Sequence, residues 1–238
     1  MTTRVTAWKT MFIVSSCTMA AIATWAIAME GLDQFWDLSL KWLMATMVNY
    51  HINTAVMLTW IVYKESSWIK SAVFIPLTLF AGSPITSGYI AMQFFKLTPE
   101  QSSKDPLYFV LVRPQKKGAI GKRKGYSVLF AKVIFSALAC LTLGTYIYVF
   151  IIAGSPFRAG VFSRCMIATT IDIYFYVATL SVWIAYKESS WINAFFWILL
   201  LICFGSFGTC AYIVRQLFYL SPQQSVSAIL VDNNNKQH

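Results

Sequence analysis

The sequence predicts an all-α integral membrane protein of six transmembrane helices, arranged as two tandem three-helix repeats of inverted topology. Composition is the first observation: 58% of the 238 residues are hydrophobic and only 12% are charged, which is far more apolar than a soluble domain of this length. The second is a repeat, because the six residues from Tyr63 to Trp68 recur letter for letter from Tyr186 to Trp191, a shift of 123 residues. A fixed period dictates architecture, so we expect two copies of one structural unit.

Six apolar runs are long enough to cross a hydrocarbon core, which takes about 20 residues. The first run imitates a cleavable signal peptide, but it aligns with a run inside the second half, and we therefore interpret it as a retained helix. Three crossings in each copy would turn the second copy over, which predicts the inverted-repeat arrangement of many secondary transporters. The runs occupy 10–29, 43–63, 70–95, 129–153, 166–186 and 192–219.

The two predicted repeats cover 1–105 and 129–228, with a connecting loop at 106–128 and a polar tail at 229–238 that we expect to be disordered. The loop is strongly basic, which favours a cytoplasmic position in a multi-pass protein of the plasma membrane or an endomembrane. Its charge suits anionic lipid or an acidic partner, whereas the absence of a folded module around it argues against nucleic acid. The basic residues in or beside it are Lys96, Lys104, Arg113, Lys116, Lys117, Lys122, Arg123, Lys124 and Lys132.

The third apolar run of each half carries the same polar stripe, whose spacing of 4, 3 and 4 puts its members on one helical face. A Gly-Ser pair lies near the middle of each run, and Pro84 is expected to kink the first. Matching interruptions in two halves often mark a transporter's binding site, although small-residue packing between helices explains the pattern equally well. The candidate substrate-binding residues are Gly82, Thr86, Tyr89, Gln93, Gly205, Thr209, Tyr212 and Gln216.

One acid, Asp172, falls inside the second run of the second half, where a charged side chain is costly enough to suggest a functional site. Arg215 is a candidate partner, because both charges are absent from the first half. Asn49 occupies the position that matches Asp172, and Met92 the position that matches Arg215. A buried ion pair needs both of its members. We therefore predict a structural Asp172–Arg215 pair in preference to a proton or substrate site.

The second run of the first half holds three further candidate polar residues, Asn49, His51 and Asn53. We interpret His51 as a hydrogen-bonding core residue. Glu65 and Glu188 are expected to begin the third helix of each half, where a carboxylate satisfies free N–H groups and suits the helix dipole.

Sequence signatures of catalysis are missing: there is no Walker A loop, GxGxxG, HExxH or GxSxG motif. Two histidines cannot form a His-based metal cluster, and the five cysteines lack CxxC spacing. We expect no cofactor and no metal. We favour a non-enzymatic role and rank an intramembrane lipid enzyme third, after the two functions named below.

The YKESSW turns, the Gly-Ser pairs and the matching Leu97-Thr98-Pro99 and Leu220-Ser221-Pro222 segments resemble a plant family of uncharacterised multi-pass membrane proteins, known only as a domain of unknown function. Each half also resembles short bacterial three-helix membrane proteins of unknown role. The resemblance implies fold and membrane class but no activity. The favoured function is a small-solute or lipid carrier with a midplane site between Gly82 and Gly205. The alternative is a non-catalytic membrane scaffold or lipid-binding accessory subunit that docks through the basic loop.

Overall fold

The computed structural model describes residues 3–37, 39–65, 67–113, 126–156, 163–221 and 224–230, and within these ranges the chain is helical, without strands. Short 3-10 turns lie at Asp33–Trp36 and Val226–Leu230. The α-helices are α1 (Thr3–Glu30), α2 (Lys41–Lys64), α3 (Trp68–Ala81), α4 (Ser83–Phe95), α5 (Pro99–Lys104), α6 (Pro106–Leu111), α7 (Tyr126–Ala153), α8 (Arg164–Lys187), α9 (Trp191–Phe204) and α10 (Ser206–Phe218).

Three helices are long and apolar enough to span a membrane: Arg4–Glu30 in α1, Val128–Ala153 in α7, and α8. α2 has the same length as α8, but Asn49, His51 and Asn53 lower its hydropathy. The chain is therefore an all-helical protein with membrane-spanning potential in at least these three helices.

The third apolar run of each half is divided into two antiparallel helices, which corrects the prediction of one continuous helix over 70–95 and another over 192–219. The Phe74 and Tyr89 rings, on α3 and α4, have centroids 5.0 Å apart. Likewise Trp197 of α9 and Tyr212 of α10 are 5.4 Å apart. Each run is a helical hairpin whose arms have 13 or 14 residues, or about 20 Å at 1.5 Å per residue.

Glycine, not proline, makes the turn in each hairpin. Gly82 and Gly205 have φ of +69° and +52°, a region that other residues rarely adopt. Pro84 lies in the first turn of α4, where proline is compatible with a helix. The second hairpin turns in the same way with Phe207 at the matching position, so the predicted proline kink is not the cause.

Corresponding helices of the two halves run in the same direction, so the predicted inversion is wrong. The bounds of α1 to α4 recur in α7 to α10 after a shift of 123 residues. α2 and α8 pack side by side, and Thr54 hydrogen-bonds the Tyr176 hydroxyl at 3.3 Å. Trp60 and Trp183, both in the C-terminal thirds of these helices, line one cavity. The halves are thus related by a pseudo-two-fold axis parallel to α2 and α8, because each hairpin returns its chain to the end where it began.

The interior is formed by α2, α8, α4 and α10, with α1 packed on α4 and α7 on α10. The other hairpin arms, α3 and α9, lie outside this interior and expose large apolar side chains such as Phe80, Ile192 and Phe195.

Two predicted segments lie partly outside the described residues. The undescribed part of the tail is 231–238. The predicted basic residues of the connecting loop that lie outside the described residues are Lys116, Lys117, Lys122, Arg123 and Lys124. The beginning of that tail, predicted to be disordered, belongs to the 3-10 turn Val226–Leu230, in which Ile229 is buried.

Candidate functional site

The tip of the first hairpin is capped by a residue of the other half. The Asp172 carboxylate, on α8, accepts the Ser83 backbone N–H at 3.0 Å. This N–H belongs to the first turn of α4, where helix geometry leaves it without a partner. A side chain at Gly82 would overlap both the Asp172 carboxylate and the Tyr50 hydroxyl. The tip therefore requires glycine for two reasons, backbone conformation and space.

The second hairpin is capped in the same way by an amide. Asn49, on α2, accepts the Ser206 backbone N–H at 2.7 Å. Asn53 donates to Asn49 at 3.1 Å and accepts from the Thr209 hydroxyl at 3.0 Å. The second helix of each half thus holds the hairpin of the other half, and the two contacts lock the halves together.

The predicted ion pair between Asp172 and Arg215 is wrong, because each residue has a different partner. Arg215 forms its ion pair with Glu188, at 2.8 Å, and Asp172 caps Ser83. The reason is the hairpin: α10 runs back toward the turn between α8 and α9, which brings Arg215 to Glu188. Asp172 lies about 24 Å from Glu188 along the axis of α8.

Glu65 and Glu188 accept hydrogen bonds from the polar stripes of the hairpins. Tyr89 and Gln93 donate to Glu65 at 2.9 and 3.3 Å. Tyr212 and Gln216 donate to Glu188, both at 2.9 Å. The two glutamates follow α2 and α8 as C-terminal caps, with their own N–H groups on Ile61 and Ile184, so the prediction that they begin the third helices is wrong.

The eight predicted substrate-binding residues do not converge on one site. Tyr and Gln meet a glutamate in each half, whereas Thr86 donates back to the Gly82 carbonyl at 3.3 Å and Thr209 donates to Asn53 at 3.0 Å. His51 packs against the Trp36 and Tyr50 rings. The polar groups of the stripes are bonded within the protein, and a substrate-binding role for them stays a prediction.

A cavity of about 280 Å³ lies on the pseudo-two-fold axis, between the C-terminal thirds of α2 and α8. Both halves contribute matching side chains, and most are apolar or aromatic. Sequence reasoning missed it because these residues have the same pattern as an ordinary helix-packing core. The matched pairs are Phe12 and Phe135, Val56 and Thr179, Met57 and Leu180, Thr59 and Val182, Trp60 and Trp183, Tyr63 and Tyr186, and Ile90 and Ile213.

Two short segments, α6 and Val226–Leu230, complete the wall of the cavity. The Trp60 indole donates to the Leu111 carbonyl at 3.1 Å, and the Trp183 indole donates to the Leu230 carbonyl at 3.4 Å. Lys64 also donates to carbonyls at the end of α6. Cavity-lining residues of both halves therefore hold the covering segments in place.

In the described part of the chain, no three His, Cys, Asp or Glu side chains lie close enough together to hold a metal ion.

The comparisons with known proteins give one result. No curated protein and no solved structure matches the sequence. The model of a family described as "Protein of unknown function (DUF1475)" matches residues 2–118 and residues 100–237. The expectation of a family of unknown function is confirmed, and the plant affiliation stays a prediction. Since the two matches together span nearly the whole sequence, the chain belongs to the DUF1475 family.

Proposed function

We propose that this chain is a multi-pass membrane protein that binds the hydrocarbon part of a lipid in the cavity between α2 and α8. The cavity carries the proposal: it is lined by matched aromatic and aliphatic side chains of both halves. Its volume of about 280 Å³ is near the lower end for small-ligand sites, which are mostly apolar. A single hydrocarbon chain is the chemistry that fits such a lining.

The proposed topology has four crossings and two re-entrant hairpins. α1, α2, α7 and α8 have 24 to 28 residues, or about 36 to 42 Å, enough for a hydrocarbon core of about 30 Å. A hairpin arm of about 20 Å enters this core but does not cross it. Each half then crosses twice, and both halves have the same orientation.

Interrupted backbone within a membrane is tolerated only where it is buried in protein. Both hairpin tips meet this condition, because Ser83 and Ser206 are buried and their N–H groups are capped by Asp172 and Asn49. The polar residues of α2 are consistent with a crossing too, since Asn49 and Asn53 face the interior rather than lipid.

Charge supports an orientation with both termini and the connecting loop in the cytoplasm, by the positive-inside rule. Ten of the described basic residues lie at the end of the bundle where α2 and α8 finish: Arg4, Lys9, Lys64, Lys70, Lys96, Lys104, Arg113, Lys132, Lys187 and Arg215. The opposite end has Lys41 and Arg164 among the described residues, together with Glu30, Asp33 and Asp37. Hydrogen bonds from Ser39 hold the pKa of the Asp37 carboxyl below its ordinary value.

Lipid binding is common to two of the expected roles, the lipid carrier and the lipid-binding accessory subunit. A small-solute site at the midplane is less well supported, because the polar stripes already bond to Glu65 and Glu188. Transport of the bound lipid remains a prediction.

Native mass spectrometry of the purified protein tests lipid binding. Wild type is expected to retain one lipid per chain, and Leu180→Trp is expected to lose it, because the larger ring fills the cavity. Val73→Trp is the matched control, since Val73 is exposed on the outer arm α3. Equal lipid retention by wild type and Leu180→Trp would rule out the cavity as the binding site.

A further inference from the structure

We propose that the ligand of the cavity is a single-chain amphiphile with an anionic head group, and that Lys9 and Lys132 bind this head group. The inference rests on the proposed lipid site and assigns its substrate class. It starts from two lysines that form no ion pair within the described part of the chain.

Lys9 and Lys132 occupy corresponding positions of the two halves, one helical turn from the cavity. Lys9 precedes Phe12 by three residues, and Lys132 precedes Phe135 by three. Residues spaced by three lie on the same side of a helix, and both phenylalanines line the cavity. The two lysines therefore stand at the basic end of the bundle, directly beyond the apolar lining.

Among the described residues, no carboxylate forms an ion pair with either lysine. Lys9 is only 6% exposed, and its Nζ lies 4.5 Å from the centre of the Phe95 ring. Lys132 has the same contact with Phe218, at 4.6 Å. In the described part of the chain, the ion pairs with glutamates are formed by other residues, namely Lys70, Lys96 and Arg215.

A buried cation is costly unless an anion compensates it, and a ring face supplies only part of that compensation. The same contact in both halves indicates that the arrangement belongs to the repeat. Lys64, at the same end of the bundle, is already bonded to carbonyls at the end of α6. An anionic head group placed beyond the apolar lining would give Lys9 and Lys132 a partner that the described residues do not supply.

The volume of the cavity limits how much hydrocarbon the ligand can carry. About 280 Å³ suits one chain of medium length better than the two chains of a membrane phospholipid. A carboxylate with one alkyl chain has the required chemistry, and dodecanoate is a suitable probe.

The test compares three amphiphiles with the same alkyl chain and different heads: dodecanoate, dodecanol and dodecyltrimethylammonium. Binding to the full chain in phosphatidylcholine nanodiscs is measured by isothermal titration calorimetry. Because a hydrogen bond to a charged group is stronger than one to a neutral group, dodecanoate is expected to bind about tenfold more tightly than dodecanol. The cationic amphiphile is expected to bind most weakly.

The double variant Lys9→Gln with Lys132→Gln is expected to reduce the preference for dodecanoate to about twofold or less, with the affinity for dodecanol unchanged. The control is Lys70→Gln with Lys104→Gln, which removes the same charge from exposed positions at the same end and should keep the preference. Should the double variant lose dodecanol binding as well, Lys132→Gln alone replaces it, because Lys132 is less buried than Lys9.

The outcomes separate this inference from the proposed function. Equal binding of all three amphiphiles would overturn the anionic head group and leave the hydrocarbon site standing. No binding of any amphiphile would overturn both. An unchanged preference in the lysine variants would remove Lys9 and Lys132 from the site.

Discussion

The two hairpin tips have the same backbone but different caps. In the first, a carboxylate, Asp172, accepts the Ser83 N–H, and in the second an amide, Asn49, accepts the Ser206 N–H. Since a neutral group performs the same task one repeat later, the shape of the tip needs an acceptor but not a charge. The acid inside the second half is thus explained first as a cap that joins the halves.

The tips also differ in their serine hydroxyls. Ser206 Oγ lies 3.1 Å from Thr142 Oγ1 on α7. The Ser83 hydroxyl is buried and has no hydrogen-bond partner among the described residues, because Met19 occupies the position that corresponds to Thr142. The first tip therefore combines a carboxyl acceptor with a serine hydroxyl that lacks the threonine bond, whereas the second combines an amide acceptor with a bonded hydroxyl.

The largest effect is expected from adding a side chain at either tip. Gly82→Ala and Gly205→Ala place a methyl group at positive φ and against the capping side chain, so each should lower the free energy of unfolding by about 3 kcal/mol or more. Thermal unfolding in nanodiscs measures this. Gly144→Ala is the control, because its Cβ meets no atom within 4 Å, and wild-type stability in the tip variants would refute the strained turn.

A smaller effect is expected at Asp172. Asp172→Asn reproduces the second tip, because its carbonyl can still accept the Ser83 N–H, and the free energy of unfolding should change by about 1 kcal/mol or less. Asp172→Leu leaves that buried N–H unpaired and should cost about 2 to 3 kcal/mol. Chemical denaturation of both variants separates acceptor from charge. Equal destabilisation by Asn and Leu would show that the charge itself is required.

Arg215 provides the next comparison, because it pairs with Glu188 and not with Asp172. Arg215→Met should cost about 1 kcal/mol, since the guanidinium is partly exposed. The double variant with Asp172→Asn should equal the sum of the single effects within about 0.5 kcal/mol, as for sites without shared partners. Recovery of stability in the double variant would instead restore the ion pair predicted from the sequence.

The smallest effect concerns the two serines. Ser206→Ala removes the hydroxyl bonded to Thr142 and should cost about 1 kcal/mol, whereas Ser83→Ala removes an unsatisfied hydroxyl and should be neutral or slightly stabilising. Differential scanning fluorimetry of the pair is sufficient. A larger loss at Ser83 would reveal a partner for its hydroxyl that the described residues do not include.

Much of the fold was predictable because apolar runs and a fixed shift are local properties of the sequence. The runs at 43–63 and 166–186 lie within α2 and α8, and the shift between helix bounds is the 123 residues of the YKESSW repeat. Hydropathy does not report direction, however, and a run of 26 residues has the same composition whether it continues or turns back. In the structure, the positive φ at Gly82 and Gly205 marks the point where each run turns back.

The partners within the candidate site were less predictable, because each comes from a distant part of the chain. Asp172 meets Ser83 across 89 residues, and Asn49 meets Ser206 across 157. Once the third run is taken as a straight helix, Arg215 is the natural partner for Asp172, and the error follows from that assumption. The pairing of Glu65 with Tyr89 and Gln93 had a usable signal, since the same three residue types recur at the same spacings in the second half.

The direction of the third run is the central claim, and site-directed labelling tests it most directly. In a background without the five native cysteines, single cysteines replace Ser189, before α9, and Tyr219, after α10, both of them exposed. Ser39→Cys, at the opposite end of the bundle, reports the other face. With a membrane-impermeant maleimide on sealed vesicles, the hairpin predicts that positions 189 and 219 are labelled from one side and position 39 from the other. Labelling of positions 189 and 219 from opposite sides would show that the run crosses the membrane and would contradict the hairpin.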